Sequence, residues 1–436
     1  MRHTPVFRGI TLLTLSLFLC SCLTTQLPPI SSGGAGFQPL ADEQALWEQS
    51  REEEKKLLEN VTLYEDPLLE DYLEKVVARL NPPGMAANDA VRYSVHVVED
   101  PTLNAFAYPH GSLYVHTGLL ARMENEDELA TVFGHEMTHV ENRHMLRYQR
   151  SAINKQIGLS IAAVAAAVVL AGEEADAYRA GDWARGARIG VLGDVLVGLG
   201  LQLAFLASVN GYGRNLELEA DEGAFHKLAA AGYDVRESPK LYQALMDDHG
   251  EPSKMEGFFF GSHPQLKDRV QNAQSFAAQV APASTEGAQA APPVPSEEFL
   301  RRIRPVIRDD ARLNIENGRL KLAESQLERV IREMPKDPES HLLKGRLHLA
   351  QAEAAKDPAV QQDLRKQAEE SLREALYLDP DRAPAHRELG LLLYRDEAYR
   401  EACDHFRKYA ELAPDEDDTA RIEDYVLEME RDGQCP

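Results

Sequence analysis

His135 and His139, in the hexapeptide GHEMTH at 134–139, stand four residues apart, with Glu136 directly after the first. Four residues is little more than one helical turn, so both imidazoles reach one ion only if this stretch is an α-helix. The flanking pattern agrees: a helix is expected from about Asp127 to Arg150, with Leu129, Val132 and Phe133 on one side. Two neutral imidazoles on one ridge suit Zn2+, and a carboxylate beside them can take a proton from an activated water. So short a pattern also arises by chance, and a catalytic zinc keeps three protein ligands and one open place. A third ligand must therefore come from another element.

GRNLELEADEGAF, at 213–225, supplies it. Glu217 and Asp221 again stand at i and i+4, so Glu217 completes the coordination while Asp221 accepts the free ring N–H of a ligand histidine and fixes its tautomer. Alone, this stretch would read as an acidic, solvated helix face. Glu219, two residues after Glu217, is expected to point elsewhere, and His144, five residues past His139, to lie off the ligand face.

A chain of 436 residues exceeds one ordinary core, so two or three folded units are expected. Its 71 acids against 47 bases leave a formal charge of −24, which excludes a phosphate-reading surface and hence nucleic acid as partner. Arg2 and Arg8 followed by ITLLTLSLFLC form an export signal, residues 1–21. It closes in LCSC, where Leu19 and Ser21 before Cys22 resemble a bacterial lipobox; Cys22 then carries lipid and anchors the chain to a membrane, with Leu23 after it favouring the outer one. Residues 22–40, rich in Pro, Gly and Ser, read as a tether. Of four cysteines, Cys403 and Cys435 remain as thiols that an oxidising compartment permits to pair.

The first folded unit, 41–280, opens with a charged helical stretch to about Leu80, followed by strand patterns in VRYSVHVVED (91–100) and GSLYVHTGLL (111–120). SLYVH, 112–116, is either an exposed edge strand that captures an extended peptide or an ordinary sheet strand. The apolar runs 156–172 and 189–212 approach spanning length; a helical pair packed on the domain or touching the membrane surface is preferred to a spanning pair. A Pro/Ala/Ser-rich linker occupies 281–296. Beyond it, 297–436, AESQLERVIREMP, AEESLREALYLDP and ACDHFRKYAELAP each begin with Ala, carry Leu or Phe four residues later and end in Pro. This register resembles the second helix of tetratricopeptide repeats, whose stacked hairpins hold a peptide or partner helix.

Taken with YEDPLLEDYLEKVVARL, NAFAYPHGSLYVHTGLL and GHEMTHVENRH, the pair HEMTH and RNLELEAD resembles the M48 family of zinc metallopeptidases over about residues 41–275. The resemblance implies a mainly helical α+β fold with a small sheet, followed here by the α-helical repeats. It implies Zn2+ held by His135, His139 and Glu217, with Glu136 as general base. It also offers His263, in SHPQLKDRV, as a residue that either closes the open zinc position at rest or turns to solvent. Arg214, three residues before Glu217, either steadies the oxyanion or pairs with an acid, and Tyr212 is a weaker candidate. The expected protein is an endopeptidase on the periplasmic face of a bacterial membrane. Its clients would be misfolded or stalled envelope proteins, with the repeats binding client or outer-membrane assembly machinery. The rival is a chaperone or assembly scaffold whose metal site is largely latent.

Overall fold

Asp66 fixes where the first long helical stretch breaks. Its carboxylate accepts from the backbone N–H of Leu68 and Leu69 at 3.0 and 3.1 Å, and Pro67 occupies the first helical position, so one helix ends before it and another begins. In the computed structural model the expected stretch 41–80 is accordingly two helices, α1 (Ala41–Leu58) and α2 (Pro67–Leu80). The structure describes residues 23–87, 89–154, 213–247, 266–280 and 296–435. The signal segment with Cys22, both apolar runs, Tyr212, His263 and linker residues 281–295 lie outside these. No helix among the described residues is long and apolar enough to cross a membrane.

The chain divides into two compact units. The first comprises residues 1–98, 102–115 and 123–295, the second 99–101, 116–122 and 296–436. The described residues are mainly helical, with one small sheet of β1 (Ser94–Val98), β2 (Ala105–Ala107) and β3 (Ser112–His116) in the order β1-β3-β2. SLYVH is therefore the central strand, not an edge. All five of its residues are buried, and β2 pairs antiparallel with it through Ala105 with Val115, Phe106 with Tyr114 and Ala107 with Leu113. A strand bonded on both sides has no backbone groups left to capture a peptide.

In the first unit, Asn125 caps α3 (Glu126–Glu141), which carries the histidine pair. The helix expected to run on to Arg150 breaks at Arg143, whose φ of 59° is left-handed, and resumes over 144–154. That conformation costs about 1–2 kcal/mol for a residue with a Cβ. It places the Arg143 guanidinium on Glu43 of α1 in a buried fork, Nε to Oε1 at 2.7 Å, which holds the break. Across α3 runs α4 (Arg214–Ala231), ended by Gly232 at φ 78°. α5 (Ser238–Asp247) and α6 (Leu266–Val280) belong to the same unit.

The segment expected as a free tether lies along this unit. Leu23 donates its backbone N–H to Asn154 Oδ1 at 2.8 Å and accepts from Asn154 Nδ2 at 2.6 Å; Ile30 is 1% exposed; Ser31 donates to Glu141. Its Pro and Gly residues shape a strap around Ile30 rather than freeing the chain.

From Ser296 onward the second unit's helices are α7 (Ser296–Glu316), α8 (Leu320–Glu333), α9 (Pro338–Ala354), α10 (Pro358–Leu378), α11 (Ala383–Arg395), α12 (Tyr399–Leu412) and α13 (Thr419–Arg431). Ala323, Ala368 and Ala402 are wholly buried, as are Leu372 and Phe406, with Leu327 1% exposed. Glycines face the bulky members: a Cβ on Gly390 would meet the Phe406 ring at 2.6 Å, and one on Gly345 would meet Leu372 at 2.7 Å. The pairs α9–α10 and α11–α12 thus close to a separation that glycine permits. Cys403 and Cys435 form a disulfide that ties the chain past α13 back to α12.

Glu54 of α1 fastens that helix to the sheet, lying 2.8 Å from His110 Nε2 and accepting from Tyr114 at 2.8 Å. Burial pushes its carboxyl up, but the bonds from His110, Tyr114 and Ser112 hold it down to about 2. A carboxylate depressed from the ordinary 4.5 stabilises the fold above that pH, and the contribution disappears as pH falls toward 2. Urea midpoints measured at descending pH should therefore drop less steeply across this window in Glu54→Gln than in the unaltered chain.

Candidate active site

The two helices that carry the motifs cross where glycine allows it. A Cβ on Gly223 of α4 would lie 2.4 Å from Thr138 Cγ2 of α3, and one on Gly134 would lie 3.2 Å from Leu228 Cδ1 and 3.3 Å from Ala224. This approach carries Glu217, one turn into α4, over the histidine pair. His135 Nε2 and His139 Nε2 are 3.0 Å apart, and the Glu217 carboxylate stands 3.4 Å from the first and 3.7 Å from the second. Four ligand atoms at tetrahedral zinc lie about 3.3 Å from one another, given bonds of roughly 2.0–2.1 Å. The three side chains, 1–3% exposed, come close to that spacing with two imidazole nitrogens and the two oxygens of one carboxylate, Oε2 facing His135 and Oε1 facing His139. Among the described residues they form the one cluster of three His, Cys, Asp or Glu side chains suited to a metal ion. Glu136, 2% exposed, follows His135 on the same helix.

Behind His135 is a buried ionic cluster. Asp221 Oδ1 lies 2.9 Å from His135 Nδ1, so with Nε2 turned toward the other ligand atoms, Nδ1 carries the proton and donates it. Arg269 of α6 grips Asp221 from the other side, Nη2 to Oδ1 at 2.7 Å and Nε to Oδ2 at 3.0 Å, with Tyr242 of α5 donating to Oδ1 at 3.1 Å. Tyr242 also lies under the guanidinium, 4.4 Å from ring centre to Cζ. Burial pushes the Asp221 carboxyl up, but Arg269 and His135 outweigh it and hold it below its usual range. Burial and the Arg269 charge oppose a second proton on His135, yet Asp221 and Glu217 prevail and raise it to about 9. A cation loading this site therefore displaces a proton below that pH.

Behind His139 stands His144, which the helix wheel put off the ligand face. The break at Arg143 turns it inward: it is wholly buried and its Nδ1 lies 2.8 Å from His139 Nδ1. Burial pushes His144 down, so it is a neutral acceptor for the His139 N–H. Its Nε2 then faces Glu219 at 3.5 Å, a carboxylate steadied by Arg147 at 2.7 Å. The His144 contact first, then Arg147, overcome partial burial to hold Glu219 down to about 2. Both histidines are thus backed by a carboxylate, one directly and one through a second imidazole.

The sequence-level candidates divide. His135, Glu136, His139, Glu217 and Asp221 come together. Arg214 does not join them: its side chain is 63% exposed and pairs with Asp268 at 2.9 Å, the acid-pairing alternative. Arg269 and Tyr242 carry no signal of this role in the sequence, whereas His144 and Glu219, expected away from the ligand face, stand behind His139. Arg269 stood in a stretch already singled out, SHPQLKDRV, but its partner is 48 residues away.

Residues 67–277 match the Peptidase family M48. The matched residues include both motif-bearing helices, α3 and α4. It is 30% identical over 229 residues to the putative beta-barrel assembly-enhancing protease of Vibrio cholerae, covering 52% of this chain and 43% of the relative. The beta-barrel assembly-enhancing protease of Yersinia pestis is 27% identical over 248 residues, 54% of this chain and 44% of its own. The mitochondrial metalloendopeptidase OMA1 of Schizosaccharomyces pombe is 25% identical over 205 residues, 47% of this chain and 52% of its own. The chain thus spans about half the length of these relatives, or less.

Removing Arg269 leaves Asp221 buried without its counter-charge. Arg269→Gln is expected to lower unfolding stability by about 3 kcal/mol in urea titrations and to weaken metal retention against a chelator at least roughly ten-fold, with Arg269→Lys recovering part of both.

Proposed function

We propose that this protein is a zinc endopeptidase of the bacterial cell envelope that hydrolyses misfolded or stalled envelope proteins. The observation that carries the proposal is the convergence of His135, His139 and Glu217, whose ligand atoms lie within 4.8 Å of one another, with each imidazole fixed from behind. A zinc ion held there supplies Lewis acidity toward a scissile carbonyl. Glu136 is the general base: its carboxylate takes a proton from the attacking water and returns it to the leaving amine. Asp221 and His144 keep the ligand imidazoles in the tautomer that leaves Nε2 free to coordinate.

An extended substrate has a strand to join. β2 is an edge of the sheet, packed beside α3, with Phe106 part-exposed between the buried Ala105 and Ala107. Pairing there would present the backbone of an unfolded chain rather than a particular side chain. Residues 297–436 we infer to be tetratricopeptide repeats that hold client or outer-membrane assembly machinery, a reading supported by the buried Ala and Leu/Phe positions and by Gly345 and Gly390 at the helix contacts. We further infer a lipid anchor at Cys22 and the periplasmic face of the outer membrane. The Cys403–Cys435 bond suits that oxidising compartment. His263 remains the proposed closure of the site at rest.

The test is Glu136→Gln. This variant should bind about one zinc per chain, as expected of a three-ligand site, and keep its thermal midpoint while cleavage of an unfolded outer-membrane protein falls at least roughly a hundred-fold. A chelator should abolish cleavage by the unaltered chain and zinc should restore it. Full cleavage by the zinc-loaded variant would remove the general-base assignment, and absence of zinc from both proteins would remove the metallopeptidase reading.

A further inference from the structure

Residues 23–43 touch the end of α3 and the helical stretch 144–154 that follows it. Asn154 closes both of its amide bonds on the backbone of Leu23, and Arg150 donates to the Thr24 carbonyl at 2.9 Å while forking onto Asp42 at 2.8 and 2.9 Å. Leu27 packs against the buried cluster of Leu46, Met145 and Leu146, on which Leu216, one residue before Glu217, also rests. Ser31 donates to Glu141, two residues past His139, and Lys227 of α4 pairs with the same carboxylate. Ser31 also runs against Gly84, where a Cβ would come within 2.3 Å of its carbonyl oxygen. Phe37 lies under Arg143 at 5.4 Å. The strap is built into the catalytic unit along its whole length.

We propose that this strap seats the catalytic unit directly on a lipid bilayer, with the face around Leu23 and Asn154 meeting the membrane surface. The inference rests on the lipid anchor proposed for Cys22. One residue of chain spans at most about 3.6 Å, so an acyl group on Cys22 enters the bilayer within a few ångströms of the Leu23–Asn154 clamp. Leu23 itself is 37% exposed, an apolar side chain at the point of entry. Were 23–40 a free tether, the unit would range roughly 20–25 Å from its anchor. Held by the strap, it works at the bilayer surface, on chains emerging at or stalled upon the membrane.

The experiment uses the full acylated chain in phospholipid vesicles that contain a headgroup nitroxide lipid. A fluorophore is placed at Ser151→Cys, Cys403 and Cys435 being paired and Cys22 acylated. Intact-mass spectrometry first reads the acyl group. The Ser151 probe should be strongly quenched, and inserting about ten Gly/Ser residues between Cys22 and Leu23 should reduce the quenching at least two-fold, since such a spacer reaches roughly 16–19 Å. An acylated chain whose probe is unquenched, or equally quenched with the insertion, overturns the seat and leaves the anchor standing. A chain without an acyl group at Cys22 overturns both.

Discussion

The close crossing of two helices at Gly134 and Gly223 is the constraint on which the site depends. The histidine pair and Glu217 are 78 residues apart at their nearest, and neither helix alone offers more than a fragment of a coordination sphere. A methyl group at Gly223 would drive into Thr138 and force the helices apart, where a shift of a few tenths of an ångström already spoils ligand spacing. Packing at this contact and chemistry at the cluster are therefore one requirement.

Around that crossing the interior is unusually charged, and the charges are arranged in chains. Asp221 is acceptable in the core because Arg269 neutralises it and His135 and Tyr242 use its remaining acceptor capacity. Glu219, His144 and His139 form the second chain and Glu43 with Arg143 a third, which also stabilises the left-handed turn that brings His144 inward. Each chain ends at, or one step from, a proposed metal ligand. Buried polar groups of this kind do little for net stability, but they hold imidazoles in one orientation and one tautomer.

The strap extends the same economy to the N-terminus. A Pro/Gly/Ser composition is compatible with a free linker, and only the placement of Ile30 and of the Leu23 and Thr24 backbone groups shows that it is part of the unit. Likewise SLYVH alternates as any strand does; its central position follows from pairing on both sides, which no local pattern encodes.

By itself the sequence determined what depends on spacing along one element. Four-residue intervals put His135 with His139 and Glu217 with Asp221, and the thirteen-residue register of Ala, Leu or Phe, and Pro marked the buried stripe of the C-terminal helices. Tertiary structure decided everything that joins elements distant in the chain. It matched Arg269 to Asp221 and assigned Arg214 to Asp268 instead of the site. It brought His144 behind His139 through a backbone turn that a helix wheel assumes away, and it made β1 and β2, rather than β3, the sheet's edges. The reason is physical: periodicity reports which side chains share a face, whereas the partner across that face is chosen by packing and by the need to neutralise buried charge.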